Sequence, residues 1–209
     1  MSEVLALFPT AVHISQYEND MTEELKFIKN LEYKPNGPTS DPFTAPNGNY
    51  RTTSISVLKE KELKNISIFI QKQLDYYTKE IMLTDDKLIP TISWCNRNPQ
   101  GSKHHEHRHA NSIISGVFYF AINKSAPIQF SKGPVGEYQF NFKKWNDFNS
   151  SIFVVEMRVG ELILFPSNTN HSVHVNKESE ERISLGFNTF STSLGNDLTR
   201  LNLRDLKQI

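Results

Sequence analysis

Six of the seven histidines in this 209-residue chain lie between positions 104 and 174. Four of them fall in one run, His104-His105-Glu106-His107-Arg108-His109, and His171 lies far downstream. His107 and His109 have H-x-H spacing. On a β-strand, alternate residues share a face, about 6.6 Å apart. Two imidazoles on one face can chelate one metal ion. A third ligand from elsewhere completes a facial cap and leaves positions open for substrate and O2. The plainer alternative is a solvated histidine-rich loop. A rival register also exists, because His104 and Glu106 read H-x-E and would supply a carboxylate. On a regular strand 104 and 106 face opposite to 105, 107 and 109, so one set alone points inward.

Arg182 is the second group with chemistry in it. Arg182, Ser184, Gly186 and Asn188 alternate with Ile183, Leu185 and Phe187. Such a strand puts a polar or small face toward a pocket and a greasy face toward a core layer. A guanidinium holds a carboxylate through two charge-assisted bonds, a geometry that lysine does not reproduce. Ser184 adds a hydroxyl donor. The alternative for Arg182 is a surface pair with Glu180 or Glu181. Asn96, Ser115 and Tyr119 are weaker pocket candidates. Ser115 and Tyr119 share one strand face, and Tyr119 also suits an ordinary β-core. His174 reads as a surface residue.

These groups need a scaffold, and the pattern around them is β. Strands are expected at 89–96, 112–122, 127–131, 138–142, 152–158, 161–165, 172–175 and 182–190. Turn signals such as Asn98-Pro99-Gln100-Gly101 and Val159-Gly160 separate them. Many short strands at this spacing indicate a sandwich or jelly roll. Upstream, 4–17 reads as a leading strand broken by Pro9. Asp20 and Glu23 have capping-box spacing, ahead of Met21, Leu25, Ile28 and Leu31 at helical spacing. The stretch 34–50 is rich in Pro, Gly, Asn and Ser and reads as one long loop, a lid or a plain surface excursion. A short strand is expected at 51–58. Leu63, Ile66, Ile70, Leu74, Tyr77 and Ile81 mark the clearest helix, whose stripe packs on a sheet. A short helix is expected near 198–206.

Length favours one domain with a substantial core. Formal net charge is zero, which gives no reason to expect a nucleic-acid or anionic-membrane surface. The first nine residues make a poor signal peptide, and no apolar run approaches the ~20 residues of a membrane helix. The single cysteine, Cys95, cannot form an internal disulfide, which fits a reducing compartment such as the cytoplasm.

One ordered set of motifs is more specific. His107-Arg108-His109-Ala110-Asn111-Ser112 comes first, then Ser115-Gly116-Val117-Phe118-Tyr119. Gly160-Glu161-Leu162-Ile163-Leu164-Phe165-Pro166-Ser167 follows, then His171, then Glu181-Arg182-Ile183-Ser184-Leu185-Gly186-Phe187-Asn188. This order resembles the iron(II)/2-oxoglutarate-dependent oxygenases of the double-stranded β-helix fold. It is most similar to the subfamily often met in tailed phages of marine bacteria. Leu7-Phe8-Pro9-Thr10 and Ser93-Trp94-Cys95-Asn96 look like the same subfamily.

The resemblance implies a mainly β, cupin-like jelly roll with flanking N-terminal helices. It implies one oxygenase domain over 1–209: leading elements to 88, the jelly-roll core at 89–190, and an extension at 191–209. His107, His109 and His171 are then the iron ligands, and Arg182 binds the distal carboxylate of 2-oxoglutarate. Ser184, Asn96, Ser115 and Tyr119 join the cosubstrate pocket. The family's usual triad is H-x-(D/E)…H, so His109 stands where a carboxylate is usual. That keeps Glu106 as an alternative third ligand, although the spacing to the Ser115-Gly116-Val117-Phe118-Tyr119 strand favours 107 and 109. The implied reaction couples oxidative decarboxylation of 2-oxoglutarate, to succinate and CO2, with hydroxylation of a substrate C–H bond. The implied compartment is the cytoplasm, or the host cytoplasm for a phage protein, with no membrane partner and a homodimer left open. Two rivals stay open: a three-histidine cupin-type oxygenase in which Arg182 holds the substrate's own carboxylate, and a non-catalytic jelly-roll binding or structural protein. The sequence does not name the substrate.

Overall fold

The computed structural model describes residues 2–36, 48–132 and 140–203. Its organising strand is the one with the clearest alternation, Arg182–Ser191 (β11). Ile183, Leu185 and Phe187 pack under the helices, within the larger hydrophobic cluster. Arg182, Ser184, Gly186 and Asn188 take the other face. Both faces are covered, so β11 is a central strand. It pairs antiparallel with Leu88–Asn98 (β4) on one side and Ile114–Ala121 (β6) on the other. Outward from β6 come Glu161–Pro166 (β9) and His13–Gln16 (β1). Outward from β4 come Tyr50–Thr52 (β3) and Tyr33–Pro35 (β2), completing a seven-stranded sheet. A four-stranded sheet holds His104–His107 (β5), Asn170–Val173 (β10), Ile128–Ser131 (β7) and Ile152–Val155 (β8), in that order.

The two sheets face each other across a small apolar cluster of Tyr119, Ile128, Phe130, Met157, Ile163 and Phe165. On the other face of the large sheet lie helix α1 (Thr22–Lys29) and helix α2 (Lys64–Tyr76). Ile66, Ile70 and Leu74 are fully buried and Tyr77 nearly so, which is the stripe expected from spacing. Burying each such aliphatic side chain contributes about 1.5–3 kcal/mol. The helical run ends in a π-turn at Tyr77–Ile81.

Several expected elements differ. In the leading segment, 4–12 is not strand, and β1 begins only at His13. Asp20 does not cap α1: its carboxylate accepts the Thr22 hydroxyl (2.9 Å), and Met21 stands at the cap without a side-chain bond. The strand expected over 51–58 stops at Thr52 and gives way to a 3-10 turn at Val57–Lys59. Residues 140–142 are not strand, and the rest of the 138–142 expectation lies outside the described residues. Of the helix expected at 198–206, residues 198–203 form a turn and the strand Leu201–Asn202 (β13) instead. That strand pairs with Ser193–Leu194 (β12), while 204–206 lie outside the described residues. The 34–50 loop also falls largely outside them; its described ends form β2 and β3 and pair with each other.

The strand-parity expectation fails for a definable reason. His107 pairs with His171, but His104 pairs with Val173. Three steps along β5 therefore match two along β10. This is a β-bulge, in which one extra residue bends the strand and re-aims its side chains. His104 and His107 consequently turn to one side, with ring centroids 4.5 Å apart, while His105 and Glu106 are exposed. His109 lies beyond the end of β5, so strand alternation does not place it at all.

Candidate metal centre

The bulged strand, a loop and the neighbouring strand bring three histidines together. Ligand-capable nitrogens of His107, His109 and His171 lie within 4.8 Å of one another. His171 enters from β10, directly opposite His107 in register. His109 enters from the loop after β5. That loop is pinned where the His109 amide donates to the Ser167 carbonyl (2.9 Å). The Ile113 amide bonds the Thr189 carbonyl (3.0 Å), and the Ser167 amide the Ile113 carbonyl (3.1 Å).

Two of the rings are held in place by backbone carbonyls. His107 Nδ1 lies 2.9 Å from the His105 carbonyl, and His171 Nδ1 lies 3.0 Å from the Thr169 carbonyl. A carbonyl only accepts, so each Nδ1 carries the proton and each Nε2 is left as a lone-pair donor. Fixing the tautomer through the far nitrogen is how proteins prepare histidine ligands. Burial, then the neighbouring rings, holds His109 down to about 4 and His171 to about 3. Burial lowers His107 as well. All three are neutral at pH 7, the form that binds a metal ion.

This has a measurable consequence. Unfolded histidine titrates near 6.5. Between about 6.5 and 4 the unfolded chain takes up protons that the folded rings refuse, so stability falls as pH falls. Metal-free protein is expected to lose melting temperature from pH 7 to pH 4, and a His109→Gln/His171→Gln double variant to lose less. Thermal melts across that range check it, and equal slopes would place the acid sensitivity elsewhere.

Beyond the histidines lies a buried cation without an anion. Arg182 is 3% exposed. Its Nη1 donates to Asn98 Oδ1 (3.3 Å) and Ser184 Oγ (3.1 Å), and its guanidinium carbon sits 4.9 Å from the centre of the Tyr119 ring. Among the described residues no carboxylate forms an ion pair with it. Glu181, the surface partner considered above, pairs with Arg97 at 2.7 Å, and Glu161 pairs with Arg158 at 2.6 Å. An uncompensated buried charge costs several kcal/mol. The donor set therefore suits an anionic ligand, as the three neutral imidazoles suit a divalent metal. A cavity of about 390 Å³ reaches Arg182 and Tyr119 from the side of Ile14 and Met157. None of the three histidines lines it, so it is not itself the metal pocket.

Residues 92–188, just under half the chain, match a family model described as "Putative 2OG-Fe(II) oxygenase". Solved structures agree on the fold. The chain is similar to the epimerase SnoN from nogalamycin biosynthesis, described as non-heme and alpha-ketoglutarate-dependent. Identity is 12%, coverage 88% of this chain and 80% of that one, and the TM-score 0.62. It is also similar to a Pseudomonas putida prolyl-4-hydroxylase, at 15% identity, 87% and 94% coverage and a TM-score of 0.57. A third is HygX from Streptomyces hygroscopicus, solved with nickel, 2-oxoglutarate and hygromycin B, at 11% identity, 86% and 82% coverage and a TM-score of 0.57. No curated protein matches the sequence.

The remaining candidates take varied places in the fold. Ser184 is buried beside Arg182. Asn96 is buried at the end of an amide chain: Asn36 Nδ2 donates to Asn49 Oδ1 (3.1 Å), and Asn49 Nδ2 to Asn96 Oδ1 (3.0 Å). The Asn36 amide also lies 3.4 Å from His104 Nε2. Tyr119 underlies Arg182. Ser115 is buried and bonded to Ser167 (2.8 Å) and Asn188 (2.9 Å). Glu106 is exposed and accepts the Ser131 hydroxyl (2.5 Å). His174 is exposed and bonded to Gln129 (2.8 Å). Sequence reasoning passed over Trp94, whose ring lies 5.8 Å from His109. The signal was Gly186 opposite it in register. A Cβ there would meet the indole at 3.1 Å, so the missing side chain lets the indole lie along the sheet.

Proposed function

We propose that this protein is an iron(II)- and 2-oxoglutarate-dependent dioxygenase that hydroxylates a C–H bond of a substrate not named by its sequence. The observation that carries the reading is the pairing of a three-imidazole group with a buried, anion-free Arg182 in one jelly roll. His107, His109 and His171 hold the metal in this reading, and Arg182 holds the distal carboxylate of 2-oxoglutarate. Ser184 and Tyr119 flank that carboxylate, and Asn96 supports the same pocket wall through its amide chain. Ser115 serves by bracing β6 against β11. Iron(II), when bound, supplies O2 activation coupled to decarboxylation of the 2-oxo acid.

The protein's own groups do the positioning. The carbonyls of His105 and Thr169 hold two rings with Nε2 free. Arg182, stacked on Tyr119, presents a fork to a planar carboxylate. Arg182 is itself buried, and burial strengthens its attraction for a bound carboxylate. The chain is read as one oxygenase domain over 1–209, working in a reducing cytoplasm where Cys95 stays a thiol. Placement in the subfamily of tailed phages rests on the ordered motifs alone.

The histidine group contains no carboxylate. That specific feature favours one second reading, a three-histidine oxygenase in which Arg182 binds the substrate's carboxylate. Turnover separates the two. Aerobic iron(II) protein without added substrate is expected to convert 2-oxoglutarate slowly to succinate. Formation of a 2-oxoglutarate chelate under anaerobic conditions should accompany it. Neither succinate nor chelate would remove the first reading and leave the second.

A further inference from the structure

Two buried donors stand beside Arg182 with nothing to bond. Asn98 is fully buried and Tyr119 is 1% exposed. Asn98 Nδ2 and the Tyr119 hydroxyl have no hydrogen-bond partner among the described residues. Asn98 faces Arg182 directly in the β4–β11 register. Its Oδ1 accepts from the guanidinium, which fixes the amide and leaves Nδ2 as the free end. Its own carbonyl is held by Asn176 Nδ2 at 2.9 Å, so the backbone there is anchored. A buried donor without an acceptor is costly, and native proteins keep few of them. Here the side chains that carry the free amide N–H and the phenol both stand against one guanidinium, Asn98 through Oδ1 and Tyr119 through its ring. Their complement is an anion with several lone pairs, and a carboxylate offers about four.

We infer that Asn98 is a specificity-determining residue of the cosubstrate pocket, its Nδ2 donating to the carboxylate that Arg182 holds. The inference rests on the 2-oxoglutarate reading of this pocket and adds a residue to it. It also has content of its own, because a site built from Arg182, Asn98 and Tyr119 holds one carboxylate of a dicarboxylate without any metal. Glutarate is the suitable probe. It keeps both carboxylates of 2-oxoglutarate and lacks the 2-oxo acid group that chelates metal.

The test uses metal-free full-length protein, with glutarate binding read by calorimetry and by thermal shift, and acetate as control. Glutarate is expected to stabilise the unmutated protein. Asn98→Leu, which removes the donor, should weaken glutarate at least tenfold. Asn98→Asp is nearly isosteric and places a carboxylate against Arg182. It should raise the melting temperature of the ligand-free protein and abolish the glutarate shift. Should Asn98→Leu fail to fold, Asn98→Ser takes its place. Glutarate affinity unchanged in the Leu or Ser variant, or no glutarate binding to unmutated protein, overturns the inference. The outcomes also separate this inference from the reading it rests on. Glutarate binding that depends on Asn98, without any 2-oxoglutarate chelate on iron(II), keeps the carboxylate site and removes the cosubstrate. A normal chelate indifferent to Asn98 does the reverse.

Discussion

Replacing His107 or His171 with alanine is expected to abolish iron(II) binding, while His174→Ala keeps full stoichiometry. The contrast follows from placement. His107 and His171 face each other across β5 and β10, each with Nδ1 tied to a carbonyl and Nε2 free. Removing either leaves two imidazoles, too few for a facial cap. His174 is exposed and already bonded to Gln129. His109→Ala should lose most of the iron, because its ring is the remaining member of the group. Glu106→Gln should keep it, since that carboxylate is exposed and occupied by Ser131. The measurement is iron content after anaerobic loading and gel filtration, with circular dichroism to check folding. Stoichiometric iron in His107→Ala or His171→Ala would sink the assignment. Loss in Glu106→Gln with retention in His109→Ala would move the site to His104 and Glu106.

Much of this architecture was legible because burial leaves a period in the sequence. The alternation of β11 gave its two faces, and the stripe from Leu63 to Tyr77 gave α2 and its packing on a sheet. What stayed hidden depends on more than one strand. The β5 bulge is a mismatch between β5 and β10, so period-two reasoning on His104–His109 alone kept parity and set His104 opposite His107. His109 reaches the group through a loop pinned by backbone bonds to Ser167, a long-range contact without a local pattern. Asn98 looked like a turn residue beside Pro99, yet it closes β4 opposite Arg182. Its parity with Trp94 and Asn96 was the available signal. The capping box failed because Asp20 found a nearer donor in Thr22, the local competition that short polar side chains offer.

The second large effect belongs to Arg182. Arg182→Ala is expected to weaken 2-oxoglutarate binding by well over tenfold while leaving iron content near that of the unmutated protein. The guanidinium is buried, has no carboxylate partner among the described residues, and is held by Asn98, Ser184 and the Tyr119 ring. Arg182→Lys keeps the charge but loses the fork. Losing one charged hydrogen bond is worth roughly 1.5–3 kcal/mol, or about 10- to 150-fold in affinity. Alanine removes the charge as well and should cost more than lysine. Folding is expected to survive, because Arg182→Ala also removes an uncompensated buried charge. The ligand-free melting temperature should therefore fall little, which distinguishes a binding role from a structural one. The experiment is anaerobic titration of 2-oxoglutarate into the iron(II) protein, followed by the weak visible absorption of the chelate. Unchanged affinity in Arg182→Ala would mean that another residue takes the distal carboxylate. A large drop in melting temperature with unchanged affinity would make Arg182 a structural cation, leaving the three-histidine group without its neighbouring anion site.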